Sequence, residues 1–194
     1  MTSEPKTTAV KEQIRQENAR LAQKLASTVS IQQCKRLHVE VTRLKSIGPH
    51  SESKVKFIVD TNPFNDDDYN NNSSLKLTGR ILPNSDIYNQ SSFRIEIKTP
   101  QFPMRPPEVR IITPIYHPNV DTTGQICVEI LRRSERWTPA VTLVDVIESV
   151  TAVIDNPNFD SPLRPWVATQ YLCNRTEFNQ IALAMVMANK LSRT

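Results

Sequence analysis

Apolar residues along this chain recur with two different periods, and the change of period divides it. They return every three or four positions at Ile31, Cys34, Leu37, Val41 and Leu44, the spacing of an amphipathic helix that runs to about Lys45. Ser30-Ile31-Gln32-Gln33 has the form of a capping box and sets the expected start of that helix. Ahead of it, Lys11 to Ala26 is rich in Ala, Gln, Glu, Lys and Arg, with Ile14, Leu21 and Leu25 giving a thin apolar face. Residues 1–10 are polar and are expected to be unstructured. Gly48-Pro49 breaks the helical period. Beyond it apolar side chains alternate in four short segments: Val55, Phe57, Val59; Leu75, Leu77, Gly79, Ile81; Phe93, Ile95, Ile97; and Val109, Ile111. Each reads as a half-buried strand, and the connections suit an antiparallel meander.

One connection is long. Asn62 to Ser74 is Asn/Asp-rich, and Asp66 to Asn70 superficially suggests a calcium loop. Asn71 stands where such a loop needs Gly and Leu77 where it needs a bidentate Glu, so a solvated loop is the better reading. Between Thr99 and Pro118 six prolines exclude a regular helix or a central strand throughout, leaving a largely fixed coil of the kind that usually serves function. A helical stripe of Val144, Ile147, Val150, Val153 and Ile154 follows, ended by Asn156-Pro157. Pro162 and Pro165 frame a turn before a short helix carrying Trp166. The last helix, Arg175 to Lys190, is capped by Asn174 with Glu177 three residues on, and bears Phe178, Ile181, Ala182, Met185 and Val186. Helix, four strands, proline-rich coil and helices in that order make an α+β fold with the helices segregated to the ends of the sheet.

Composition narrows the class of function. The 194 residues hold 38% apolar and 23% charged side chains, and the mean hydropathy of -0.42 excludes both a membrane bundle and a wholly disordered chain. Ile181 to Ala188, the longest apolar run, is far short of the ~20 residues a span requires. The N-terminus lacks the apolar core and cleavage site of a secretory signal, so a cytoplasmic or nuclear protein is expected and the sequons at Asn71, Asn72, Asn89 and Asn174 are expected to be inert. Three glycines against fourteen prolines weigh against glycine-rich phosphate loops. Cys34, Cys127 and Cys173 are odd in number and far apart, which argues against a disulfide framework or a zinc site. The basicity is N-terminal: residues 1–50 carry nine Lys/Arg and four Asp/Glu. Those charges are interleaved with Glu and Gln, and no Phe, Tyr or Trp precedes Phe57 to stack on bases, so nucleic-acid binding ranks low.

The stretch joining strands to helices holds the candidate chemistry: Ile115-Tyr116-His117-Pro118-Asn119-Val120-Asp121-Thr122-Thr123-Gly124-Gln125-Ile126-Cys127. It resembles the active-site signature of the ubiquitin-conjugating enzymes. The match extends through Phe102-Pro103-Met104-Arg105-Pro106-Pro107 upstream, and through Ile130-Leu131, Trp137-Thr138-Pro139-Ala140 and Asp160-Ser161-Pro162-Leu163 downstream. It covers roughly residues 31–190, with the elements in the family's order. The resemblance implies a core domain over 30–190, a partly disordered or helical extension over 1–29 and a tail at 191–194.

It implies chemistry as well. Cys127 is expected to take a modifier's C-terminal carboxyl from an activating enzyme as a thioester and pass it to a substrate lysine or a ligase cysteine. Asn119 matches the family's asparagine, which either donates a hydrogen bond to the tetrahedral oxyanion or holds the loop in shape. His117 mainly braces the loop by this resemblance, so a Cys/His protease dyad ranks well below conjugation. Met104 in the first contact loop and Pro139 and Ala140 in the second match ligase contacts. Lys35 and Arg36 match basic first-helix contacts for activating enzyme and ligases, with a solvated helix face as the bland alternative. Ala152 fits the small residue on which the modifier packs. Cys34 and Cys173 fit small buried hydrophobes. No cofactor is expected, since ATP and magnesium belong to the activating enzyme.

Departures from the family pattern mark a divergent member. Ser161 stands where many relatives place an acid that positions or deprotonates the incoming lysine, which points to delivery through a ligase cysteine, with Glu129 a partial substitute. Gln90-Ser91 replaces a Gly-Gly pair, Lys98-Thr99 an aromatic-proline pair, and the spacing from Cys127 to Trp137 is slightly long. Two other functions stay open at this point: a conjugating enzyme for another ubiquitin-like modifier, such as the NEDD8 type, and an inactive ubiquitin-binding scaffold.

Overall fold

The structure is a computed structural model that describes residues 5–64, 75–131 and 137–194. The chain divides into two compact units, Met1–Leu37 and His38–Thr194. Helix α1, Pro5–Ser46, is continuous through the position where a fresh start at Ser30 was expected, and it takes in residues 5–10, expected to be unstructured. The physical reason lies in Ser27-Thr28-Val29-Ser30: without Gly or Pro, nothing there interrupts the helical hydrogen bonds, and a capping box marks a start only where the preceding turn is broken. Residues 1–4, the calcium-like segment Asp66–Asn70 and the extra length at 132–136 lie outside the described residues.

Four strands follow, β1 (Phe57–Thr61), β2 (Lys76–Ile81), β3 (Phe93–Lys98) and β4 (Glu108–Ile111), in the spatial order β1-β2-β3-β4, all antiparallel. This is the expected meander. Its inner face buries Phe57, Leu77, Ile81, Phe93, Ile95, Ile97, Val109 and Ile111. Each such side chain contributes about 1.5–3 kcal/mol when fully removed from water. Gly79 interrupts β2 for a packing reason: a Cβ there would lie 2.2 Å from the Phe57 ring and 2.5 Å from the Ile58 carbonyl oxygen. On the outer face Arg80 pairs directly with Arg94 across the ladder. The like charges are separated by Asp60, whose carboxylate oxygens take Arg80 Nε at 3.0 Å and Arg94 Nε at 3.2 Å.

Helices α2 (Leu143–Asp155), α3 (Pro165–Cys173) and α4 (Arg175–Ala188) complete the core. The buried stripe of α2 is Leu143, Val146, Ile147, Val150, Thr151 and Ile154. Val144 and Val153, expected on it, are only half-buried. Its N-terminus is held twice. Thr142 and Asp145 form a reciprocal capping box, and the wholly buried Glu40 accepts the Leu143 N–H at 2.8 Å while holding Arg43 at 2.8 Å. Asn174 caps α4 through the Glu177 N–H, and Phe178, Ala182 and Val186 face inward; Ile181 and Met185 are half-buried. Cys34 is half-buried, but Cys173, expected to be a buried hydrophobe, is exposed at the last turn of α3. Among the described residues no helix is long and apolar enough to cross a membrane.

Candidate active site

Beyond β4 the chain leaves regular structure, and side chains join scattered backbone bonds in holding it. Arg94 of β3 sets the departure: its carbonyl accepts Ile112 N–H at 2.7 Å, and its N–H donates to Thr113 Oγ1 at 2.8 Å. Tyr116 is then fixed from both sides, its carbonyl by the buried Tyr88 hydroxyl and its own hydroxyl by Gln170 of α3. Its ring packs on Trp166 and Phe178, with the Arg164 guanidinium 5.0 Å from its centre. The Pro118 carbonyl accepts Arg164 N–H at 3.0 Å.

His117 is wholly buried and its Nδ1 accepts the Asn119 N–H at 3.0 Å. That bond requires an unprotonated Nδ1 and fixes the Nε2–H tautomer. Burial pushes the imidazole down to about 3; the Ile154 backbone opposes this, while the nearby Arg164 charge adds to it. At neutral pH the ring is therefore an uncharged brace for the Asn119 amide.

Asn119 is the hinge of the site. Its side-chain Nδ2 donates to the Asn158 carbonyl at 2.6 Å, and its Oδ1 accepts the Asn158 N–H at 2.9 Å. Its own backbone carbonyl accepts the Cys127 N–H at 3.2 Å. One asparagine thus joins three segments: the 116–119 segment, the cysteine and the loop that leads from α2 to Ser161. Of the two roles open to Asn119, holding the loop is the one its contacts perform in this structure. One hydrogen of Nδ2 is spent in that clamp.

Between Asn119 and Cys127 the chain makes a tight reversal, with Val120 bridged to Ile126 and Gln125 bridged to Arg110 at the edge of β4. Asp121 organises it. One carboxylate oxygen accepts Thr123 N–H at 2.8 Å, Thr123 Oγ1 at 2.7 Å and Gln125 N–H at 2.8 Å. Burial alone would raise this carboxyl, but the Thr123 and Gln125 hydrogen bonds and the Arg110 charge outweigh it and hold the group below its ordinary value. Gly124 has φ 81°, and a Cβ there would lie 2.0 Å from the Ile111 carbonyl oxygen. The turn needs glycine on both counts. Its carbonyl accepts Ile111 N–H at 2.8 Å, so the reversal is stitched to the sheet.

Cys127 emerges from this frame half-buried. Glu129, at the start of a 3-10 turn over Glu129–Leu131, is exposed, as are Asp160 and Ser161 on the loop clamped by Asn119. The two contact loops meet as well: Trp137 Nε1 donates to the Pro103 carbonyl at 2.9 Å and its ring stacks edge-on against Phe102. That bond places Met104, 66% exposed, on the same end of the molecule as the exposed Pro139 and Ala140. Ala152 is exposed on α2 with Asp145 and Glu148 at helical spacing. Lys35 and Arg36 belong to the Met1–Leu37 unit, where Lys35 is exposed and Arg36 half-buried. Among the described residues no cluster of His, Cys, Asp or Glu is able to hold a metal ion.

Sequence reasoning did not single out Asp121, Gly124, Asn158 or Tyr88. The Asp-x-x-Gly spacing of the first two is a readable turn signal. Asn158 and Tyr88 act through backbone groups distant in sequence, for which no local signal exists.

A meander backed by helices thus carries a half-buried cysteine in a polar-braced coil beside an asparagine clamp. The family model described as "Ubiquitin-conjugating enzyme" matches residues 48–186, and the chain belongs to this family. A curated relative, "Ubiquitin-conjugating enzyme E2-18 kDa" from Drosophila melanogaster, is 34% identical over 122 residues, which cover 62% of this chain and 79% of the relative.

Proposed function

We propose that this protein is a ubiquitin carrier in which Cys127 accepts ubiquitin's C-terminal carboxyl. The Cys127 thiolate attacks the carbonyl carbon of the activating enzyme's thioester, that enzyme's thiolate leaves, and a new thioester forms on Cys127. One C–S bond replaces another, so the step needs little driving force. In the second step a lysine amine or a ligase cysteine attacks, and Cys127 leaves as thiolate. The observation that carries the proposal is the Asn119 frame, which ties a half-buried cysteine to the loop bearing Ser161. The name of the fly relative favours ubiquitin as the modifier. Partners of the reading are a ubiquitin-activating enzyme and ubiquitin ligases, the latter docking on Met104, Pro139 and Ala140.

Ser161 has no acid to offer the incoming amine, so delivery runs best through a ligase cysteine. Free-lysine discharge should rise in Ser161→Asp, by up to about 10²-fold if a full general base is restored, while ligase-cysteine transfer stays level. Equal lysine discharge in the two proteins refutes this part of the reading. The modifier is tested on a non-reducing gel with ATP and either ubiquitin and its activating enzyme or NEDD8 and its own, alongside Cys127→Ala. A thiol-sensitive band with ubiquitin, lost in the variant, supports the proposal. A band with the NEDD8 pair alone transfers the mechanism to that modifier, and no band with either removes it.

A further inference from the structure

Residues 191–194 follow the last helix, yet hydrogen bonds tie them to Arg80, Pro83, Ser91 and Ser92. Ser92 N–H donates to the Leu191 carbonyl at 3.2 Å, and Leu191 N–H to Ser91 Oγ at 2.9 Å. The Ser192 carbonyl accepts both Arg80 at 2.8 Å and the Ser92 hydroxyl. Arg193 then does something a strap alone does not require. One of its terminal nitrogens donates to the Pro83 carbonyl and to the Ser91 carbonyl, each at 2.9 Å.

Pro83 and Ser91 are the two ends of one loop, and the guanidinium closes it like a clasp. Asp155, at the end of α2, holds the same loop at its start by accepting Asn84 N–H at 2.9 Å and Ser85 N–H at 2.8 Å. Inside the closed loop a 3-10 turn, Tyr88–Gln90, presents Tyr88. That side chain is buried, donates to the Tyr116 carbonyl and lies 5.7 Å, ring centre to ring centre, from His117. A continuous path of hydrogen bonds and packing therefore runs from Arg193 through the 83–91 loop to Tyr116, His117, Asn119 and the Cys127 N–H. Ser91 and Ser92 make this possible. A Gly-Gly pair in place of Gln90-Ser91 would supply no hydroxyl for Leu191.

We infer that Arg193 is a positioning residue for the active-site segment, acting through the loop it closes and the Tyr88 hydroxyl that loop presents. As a statement about transfer this rests on the reading of Cys127 as the acyl carrier. As a statement about coupling within the fold it does not.

The test measures amide hydrogen exchange, charging by the activating enzyme and single-turnover discharge in wild type, Arg193→Ala, Arg193→Lys and Tyr88→Phe, with the Arg193→Ala/Tyr88→Phe double variant closing the cycle. Loss of the clasp should speed exchange about tenfold at residues 85–91, as expected for one to two lost hydrogen bonds. Exchange at the Asn119 and Cys127 amides should rise with it. Discharge should slow several-fold while half-saturation by the activating enzyme is unchanged, Arg193→Lys should fall in between, and the double variant should be no worse than the poorer single. A merely structural tail would lower thermal stability and loosen residues 85–91 while leaving the Asn119 and Cys127 amides at their wild-type rates, which overturns the proposal, as does simple additivity in the double variant. If wild type forms no thioester, the reading of Cys127 falls, but the exchange data still decide the coupling.

Discussion

The sheet and the active-site coil are held together by different physics. In β1–β4 the backbone satisfies itself through the ladder, and stability comes from apolar burial on one face, with the charges of Asp60, Arg80 and Arg94 arranged on the other. From residue 112 to 128 hardly any ladder exists. There scattered backbone bonds, such as Asp121 N–H to Gln125 and Cys127 N–H to Asn119, are supplemented by side chains: Tyr88, His117 and Asp121 bond the segment's own backbone, while Thr113 and Asn119 tie it to Arg94 and Asn158. Burial is a sum of many contacts that sets stability, whereas the clamp is a single bidentate contact that sets position. The first region decides whether the protein folds, and the second decides whether Cys127 is presented correctly.

The contrast yields predictions that separate folding from presentation. The largest stability effect should come from the sheet. Leu77→Ala, at a buried site of β2, is expected to cost about 2–5 kcal/mol by chemical denaturation, with transfer per folded molecule nearly unchanged. Asn119→Ala should show the reverse balance, costing about 1–3 kcal/mol of stability for the orphaned Asn158 groups but lowering single-turnover transfer by roughly 10²-fold. Equal proportional losses in both measurements would erase the distinction. Between the two regions stands Glu40, whose carboxylate caps α2; Glu40→Ala leaves the buried Leu143 N–H without it and should cost about 1–3 kcal/mol. A further effect is in pH. The His117 ring titrates near 3 when folded against 6.5 when unfolded, so between those values the unfolded chain binds the extra proton. Stability should therefore rise with pH across that window by about 1.4 kcal/mol per unit from this group, and be lost on acidification. Urea midpoints measured from pH 4 to 7 check the slope, which His117→Gln should flatten.

The same contrast explains what was legible in the sequence. Strands announce themselves because Leu77, Phe93, Ile95, Ile97 and Val109 alternate with polar neighbours, and a period of two needs only local information. The α2 stripe was legible in kind but rotated, since Val144 and Val153 are as apolar as Val146 and Val150 and only the packing partners distinguish them. Cys127, Asn119 and His117 were legible through their neighbours. Their supports were not: Asn158 acts on Asn119 from 39 residues away, Glu40 on Leu143 from 103, and Arg193 on Ser91 from 102. The break expected at Ser30 failed for the opposite reason, because a local signal was present with nothing beside it to stop the helix.

The central claim is that one cysteine, framed by Asn119, carries the acyl group while the exposed Cys173 and half-buried Cys34 do not. The direct measurement is peptide mapping by mass spectrometry of the wild-type protein after incubation with ATP, ubiquitin and its activating enzyme, before and after hydroxylamine. The account predicts a single hydroxylamine-labile ubiquitin adduct on Cys127. An adduct on Cys34 or Cys173 instead, or a protein left unmodified with Cys127 free, would contradict it.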